Sequence, residues 1–137
     1  MKKKLVITIL LVLIPVAIIS VIFNILTQKG IDINITNQTN REITGLYVTY
    51  NEIKSELRIP SLRPGEKYKL NVSDEKNSNE NFSEGALLLE YKDKNGDVQT
   101  EYIAGYIQIG FSGYASIKII DMDKTGKLKM KIKDNTY

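Results

Sequence analysis

The chain has no cysteine, no histidine and no tryptophan. Without cysteine there is no disulfide, no thiol nucleophile and no lipid-modified cysteine. Without histidine as well, the Ser-His-Asp and Cys-His nucleophile systems cannot be assembled, and neither can a His- or Cys-liganded zinc site. Charge of one sign is scarce outside the amino terminus. Removing Lys2, Lys3, Lys4 and Lys29 from the 19 Lys+Arg leaves 15 against 16 Asp+Glu, a net −1 for residues 31–137. A nucleic-acid partner requires a concentrated basic surface, so none is expected. These absences point away from catalysis: the chain reads as a non-enzyme with no cofactor and no metal, an undetected hydrolase being the enzymatic alternative.

What is present begins with one long apolar run. Leu5 to Leu26 is apolar except for Thr8, Ser20 and Asn24, and follows three lysines. At ~1.5 Å per residue such a helix reaches about 33 Å, enough for a hydrocarbon core of roughly 30 Å. A cleaved signal has a shorter apolar stretch, ~7–15 residues, and a small-x-small site; Val21 to Leu26 offers none. The segment therefore reads as an uncleaved signal anchor, and the mid-run Pro15 is tolerated in a membrane span. Lys2–Lys4 keep the amino terminus cytoplasmic. The expected organisation is a basic cytoplasmic flank over 1–4, a transmembrane anchor over 5–27, a linker over 28–30 and one extracytoplasmic domain over 31–137. The membrane is then a partner through residues 5–27. Abundant Ile, Lys and Asn give the look of an AT-rich, Gram-positive bacterial genome, and a cysteine-free exterior domain fits that source.

The exterior region alternates apolar and polar residues at period two, with no 3.6-residue period. Ile31, Ile33 and Ile35 form one such set. Leu46-Val48-Tyr50, Leu57-Ile59, Tyr68-Leu70-Val72 and Leu87-Leu89-Tyr91 follow. Val98–Phe111, Ala115–Asp121 and Lys127–Lys133 complete the series. Polar turns separate them, and Ser73–Gly85 reads as one long loop. The expectation is an all-β sandwich of about seven to eight antiparallel strands behind one transmembrane helix.

Residues 31–72 carry Ile-x-Ile-x-Ile-Thr-Asn37, then Ile43-Thr-Gly-Leu-Tyr-Val-Thr-Tyr50, then Leu62-Arg-Pro-Gly-Glu66. This resembles the first half of small immunoglobulin-like cell-surface domains of bacteria, in which an Asn ends the first strand and a Leu-x-Pro-Gly-Glu turn precedes a later one. The resemblance implies an immunoglobulin-like sandwich in an envelope setting and no particular activity. A membrane anchor followed by an exterior β domain is also similar to bacterial signal peptidases. Their Ser-x-Met-x-Pro context is missing, because Pro15, Pro60 and Pro64 all lie outside such a frame.

Three features invite a functional reading. Asp121-x-Asp123-x-Thr125-Gly126 and Asp93-Lys-Asn-Gly96-Asp97 imitate the start of a calcium loop, but the first has Ile132 where the closing acid belongs. Both read as hairpin turns. Lys127, Lys129, Lys131 and Lys133 share one face of the last strand. They either contact an anionic surface, such as lipid head groups or wall polymer, or protect a sheet edge from further pairing. The unusual stretch is Tyr102 to Tyr114. If it stays extended, Ile103, Ile107, Ile109 and Phe111 share a buried face, while Tyr102, Tyr106 and Tyr114 share the opposite one. Glycines 105, 110 and 113 allow bulges or close backbone approach. A tyrosine stripe suits an envelope protein or wall polymer as partner; the competing reading buries the rings in the core. The sequons at Asn34, Asn37, Asn71 and Asn81 read as a product of composition, with glycosylation as the alternative. The function expected is a non-enzymatic, membrane-anchored interaction module of the cell envelope. An immunity protein against a secreted antimicrobial peptide is the alternative.

Overall fold

The computed structural model describes residues 2–137. Met1, and the side chains of residues 2–5, Leu10 and Ile25, lie outside what is described, so the side chains of the basic flank are too. The apolar run is one helix, α1, Lys2–Thr27, with Pro15 inside it. Val6–Asn24 is long and apolar enough to cross a membrane, and its described side chains face outward rather than into a core. Such a helix fits a membrane anchor or a signal sequence. Polar side chains in the run bond back to their own helix: Asn24 Nδ2 donates to the Ser20 carbonyl at 2.9 Å and Thr27 Oγ1 to the Phe23 carbonyl at 2.8 Å. That pairing suits a segment with no water to bond to.

Two residues later the β region begins. Its eight strands are β1 Gly30–Asn37, β2 Tyr47–Thr49, β3 Leu57–Arg58, β4 Lys67–Val72, β5 Glu84–Lys92, β6 Val98–Gln108, β7 Ser112–Met122 and β8 Leu128–Thr136. They form two four-stranded sheets, ordered β4-β1-β7-β8 and β3-β2-β5-β6. One hydrophobic cluster joins the inward faces of both. Ile31, Ile33, Ile35, Ile117 and Ile119 come from the first sheet, and Val48, Leu87, Leu89, Ile103 and Ile107 from the second. Each such side chain contributes about 1.5–3 kcal/mol on burial, and period-two alternation aims them all inward.

Pairing is antiparallel in every ladder but one. β1 runs parallel to β7, from Gly30 opposite Ser112 to Asn37 opposite Ile119. This corrects the expectation of wholly antiparallel strands. Local alternation identifies a strand but not its direction relative to a partner, and β2 to β6 intervene between β1 and β7, a crossover long enough for a parallel pair. The stretch read as one loop, residues 73–85, also contains a single helical turn, α2, Asp74–Asn77.

Buried polar contacts explain the motif at the end of β1. Asn37 donates to the carbonyls of Arg41 (2.7 Å) and Leu62 (2.8 Å) and accepts from Thr39 N (2.9 Å) and Thr39 Oγ1 (2.8 Å). Its backbone N–H donates to the Glu66 carbonyl and its carbonyl accepts from Gly65 N. The Asn of the first strand and the Leu-Arg-Pro-Gly-Glu turn are thus one unit. The Asn37 side chain is fully committed there, which removes it as a glycan acceptor in the folded chain.

The two calcium-like segments are turns held by their own carboxylates. Asp93 Oδ1 accepts from Asn95 N (2.8 Å) and Asp97 N (3.1 Å), and its Oδ2 accepts from Gln99 Nε2 (3.0 Å). Asp123 Oδ1 accepts from Thr125 N, Thr125 Oγ1 and Lys127 N within 2.9 Å. Those donors, led by Thr125, hold the Asp123 carboxyl below its ordinary range. The turns also touch each other, since Lys94 N donates to the Thr125 carbonyl at 2.9 Å.

Candidate functional surfaces

β6 is an edge strand of its sheet, and two irregularities against β5 decide which of its side chains reach solvent. The register slips between Gly85 and Leu87 and again between Leu87 and Leu88, so β6 carries an extra residue at each step. As a result Ile103 and Ala104 are both buried, whereas Gly105 and Tyr106 both face out. Without these bulges strict alternation would put residue 105 in the core.

Tyr102 and Tyr106 stand 65% and 59% exposed on the outer face of the β3-β2-β5-β6 sheet. Tyr106 Oη donates to Glu84 Oε2 on β5 at 2.8 Å, and this bond holds the phenol above its ordinary range. Tyr102 lies opposite the half-buried Leu88, and Leu88 lies opposite Thr49. Tyr47, opposite Glu90 and Arg58, continues the same face. Partial burial first, then Glu90, raise the Tyr47 hydroxyl. Tyr47 and Leu88 were not picked out from the sequence, because only the pairing of β2 and β5 with β6 sets them beside Tyr102.

Tyr114 does not belong to this stripe. It is exposed, but on β7, in the other sheet, where it pairs with Asp32 and Asn135. The sheets face each other across the core, so their outer faces point apart. The cause is the tight turn at Gln108–Phe111, with Phe111 N donating to the Gln108 carbonyl at 2.9 Å and Gly110 at φ +80°. The chain changes sheets there instead of remaining one extended strand. The same turn corrects Ile109, expected in the core. It is 65% exposed, over the 74–82 segment, while Ile103, Ile107 and Phe111 are buried as expected. Phe111 packs edge-on against Tyr50 and Phe82, with ring centroids 6.1 Å away in each case.

The lysine strand alternates as expected. Lys129, Lys131 and Lys133 face solvent, with Leu128, Met130 and Ile132 turned toward the core. Lys127 lies just before β8, its N–H capping Asp123. The sheet adds cations that the sequence reading missed. Lys67 and Lys69 of β4 and Lys118 of β7 lie on the same outer face, set there by pairing: Lys67 opposite Thr36, Thr36 opposite Lys118, and Lys118 opposite Lys131. Their signal was the alternation of Lys67 and Lys69 with Tyr68 and Leu70, but no local pattern tells which strands are neighbours.

No protein-family model matches the chain, and no curated protein matches it. Among solved structures, an NMR structure of a protein from Eubacterium rectale is similar at 15% identity and a TM-score of 0.43, over 77% of this chain and 89% of that one. A likeness this loose bears on neither fold assignment nor function.

Proposed function

We propose that the protein is a non-enzymatic interaction module tethered to the bacterial membrane by α1, with residues 31–137 outside the cell and a carbohydrate polymer of the wall or an envelope protein as partner. The observation that carries this reading is the pair of exposed tyrosines on the edge strand of an otherwise ordinary, well-filled sandwich. Side chains of this kind offer large contact area with only two torsions to fix, and they sit beside the apolar Leu88 and the polar Thr49. The absence of histidine and cysteine supports the non-enzymatic half of the proposal. The contact between Asn37 and the 62–66 turn supports the likeness to bacterial immunoglobulin-like surface domains.

A photo-crosslinking residue placed at position 102 in living cells should capture a discrete product. The same residue at Asn95, on the β5–β6 turn, should give background only. Tyr106→Ala should abolish the product while costing about 1 kcal/mol or less in a denaturant melt, as for other surface changes. Equal crosslinking from positions 102 and 95, or a loss of several kcal/mol on Tyr106→Ala, would contradict the binding-face assignment.

A further inference from the structure

The outer face of the β4-β1-β7-β8 sheet is charged far beyond the domain as a whole. Lys67, Lys69, Lys118, Lys129, Lys131 and Lys133 stand on it against Asp32 and Asp121, six cations to two anions, or +4. Residues 31–137 together carry −1. The third nearby acid, Asp134, is in register with Ala115 and so points to the other side of the sheet. None of the six lysines makes an ion pair among the described residues; Lys29–Glu75 is the pair found there.

Folding gives no reason for a lysine on the interior strand β7. Lys118 and Lys131 are directly cross-strand partners, and like charges so placed oppose the pairing that brings them together. Edge protection accounts for the lysines on β4 and β8, the two edge strands of this sheet. It does not account for Lys118, which lies on an interior strand. Between the cations sit Asn34, Thr36 and Ser116, side chains that donate hydrogen bonds to anionic oxygens.

We propose that this face binds a linear, non-aromatic polyanion such as a phosphodiester-linked envelope polymer. Cations two residues apart on β4 and on β8 repeat at about 6.7 Å along the strands, and β4 and β8 lie about 14 Å apart across the sheet. That is a strip of regular positive charge suited to an extended chain. Two other anionic partners fit less well. A bilayer would meet first the rows closest to α1, Gly30–Ser112–Tyr137 and then Asn71–Asp32–Tyr114–Asn135, whose side chains include an acid and no lysine. Single-stranded nucleic acid is gripped by stacking on aromatic platforms interleaved with the cations. Here the exposed aromatics in register on this face, Tyr114 and Tyr137, stand in rows without lysines.

The test uses the full chain in a non-ionic detergent with long-chain sodium polyphosphate as probe. Binding should be present at low salt and fall steeply as salt rises. Lys118→Glu with Lys133→Glu takes the face from +4 to 0 and should weaken binding at least tenfold. The matched Lys→Arg pair should retain it. Lys54→Glu with Lys92→Glu, away from this face, should change it less than twofold. Lys118→Glu alone faces Lys131 and should raise the melting temperature while weakening binding, a combination that damage to the fold cannot produce. If the double glutamate variant does not fold, Lys118→Gln with Lys133→Gln should show the same loss in smaller degree. The proposal is overturned by no binding at low salt, or by equal loss from the two glutamate pairs. Tighter and equally lysine-dependent binding to phosphatidylglycerol vesicles, or to a single-stranded oligonucleotide, overturns the assignment to a polymer of this kind.

Discussion

Asn37→Ala should cost about 3–5 kcal/mol, as much as removing a large core side chain. The residue is fully buried, and all four of its side-chain hydrogen-bonding positions are occupied. Alanine removes four hydrogen bonds at once: it leaves the Thr39 N–H without its partner, and the carbonyls of Arg41 and Leu62 keep only Thr39 Oγ1 and Ile43 N. Asn37→Asp has nearly the same shape and should be no better at neutral pH, because it sets a carboxylate against the carbonyl oxygens of Arg41 and Leu62. Its carboxyl would titrate above the unfolded value of about 3.9. A raised acid is destabilising above the unfolded pKa and harmless below it, so the Asp variant should recover stability on acidification, where the protonated acid again donates. Urea melts at neutral and acidic pH check both statements. A loss under 1 kcal/mol for the alanine variant would show that the turn contacts contribute little.

Gly113→Ala should cost about 3 kcal/mol or more, for a reason lodged in the backbone. Gly113 has φ +137° and lies between two neighbours, opposite Ile31 on one side and Thr136 on the other. A Cβ there would collide with the Asn135 carbonyl oxygen and come within 2.9 Å of Thr136 Cα. Both are backbone atoms of the β7–β8 ladder, so relief requires parting the strands. Gly105→Ala is the control from the same stretch. It has an ordinary φ and nothing within 4 Å of the added carbon, and it should change stability by no more than about 0.5 kcal/mol. Comparable losses at both positions would mean that general strand flexibility, rather than this close approach, sets the cost.

These positions also show what the sequence makes legible. Period-two alternation located all eight strands, and Asp and Gly at the turns located 93–96 and 123–126, because both signals are local. The sandwich core followed, since one register puts most large apolar residues of a strand on one side, Leu88 of β5 being an exception. Partners were not legible. Nothing near Ile31–Asn37 states that its neighbours are β4 and, in parallel, β7. The tyrosine stripe was mistaken for the same reason: Tyr102, Tyr106 and Tyr114 share parity, but the chain changes sheets at the Gln108–Phe111 turn between Tyr106 and Tyr114. Parity survived from Ile103 to Ile107 only because two bulges each insert one residue, and together they restore the phase. The lysine face was half legible. Its β8 members stand in one run, while Lys67, Lys69 and Lys118 are scattered in sequence and converge through long-range pairing alone.

The most direct test of the whole account exploits the chain's lack of cysteine. A single cysteine at Asn95, exposed on the β5–β6 turn, gives one labelling site against no background. Intact protoplasts expressing this variant are treated with a membrane-impermeant maleimide before and after lysis, and the labelled chain is fractionated and weighed. The account predicts full labelling before lysis, in the membrane fraction, on a chain that retains residues 2–27. Labelling only after lysis, or a labelled chain in the medium that begins near Gln28, would contradict it.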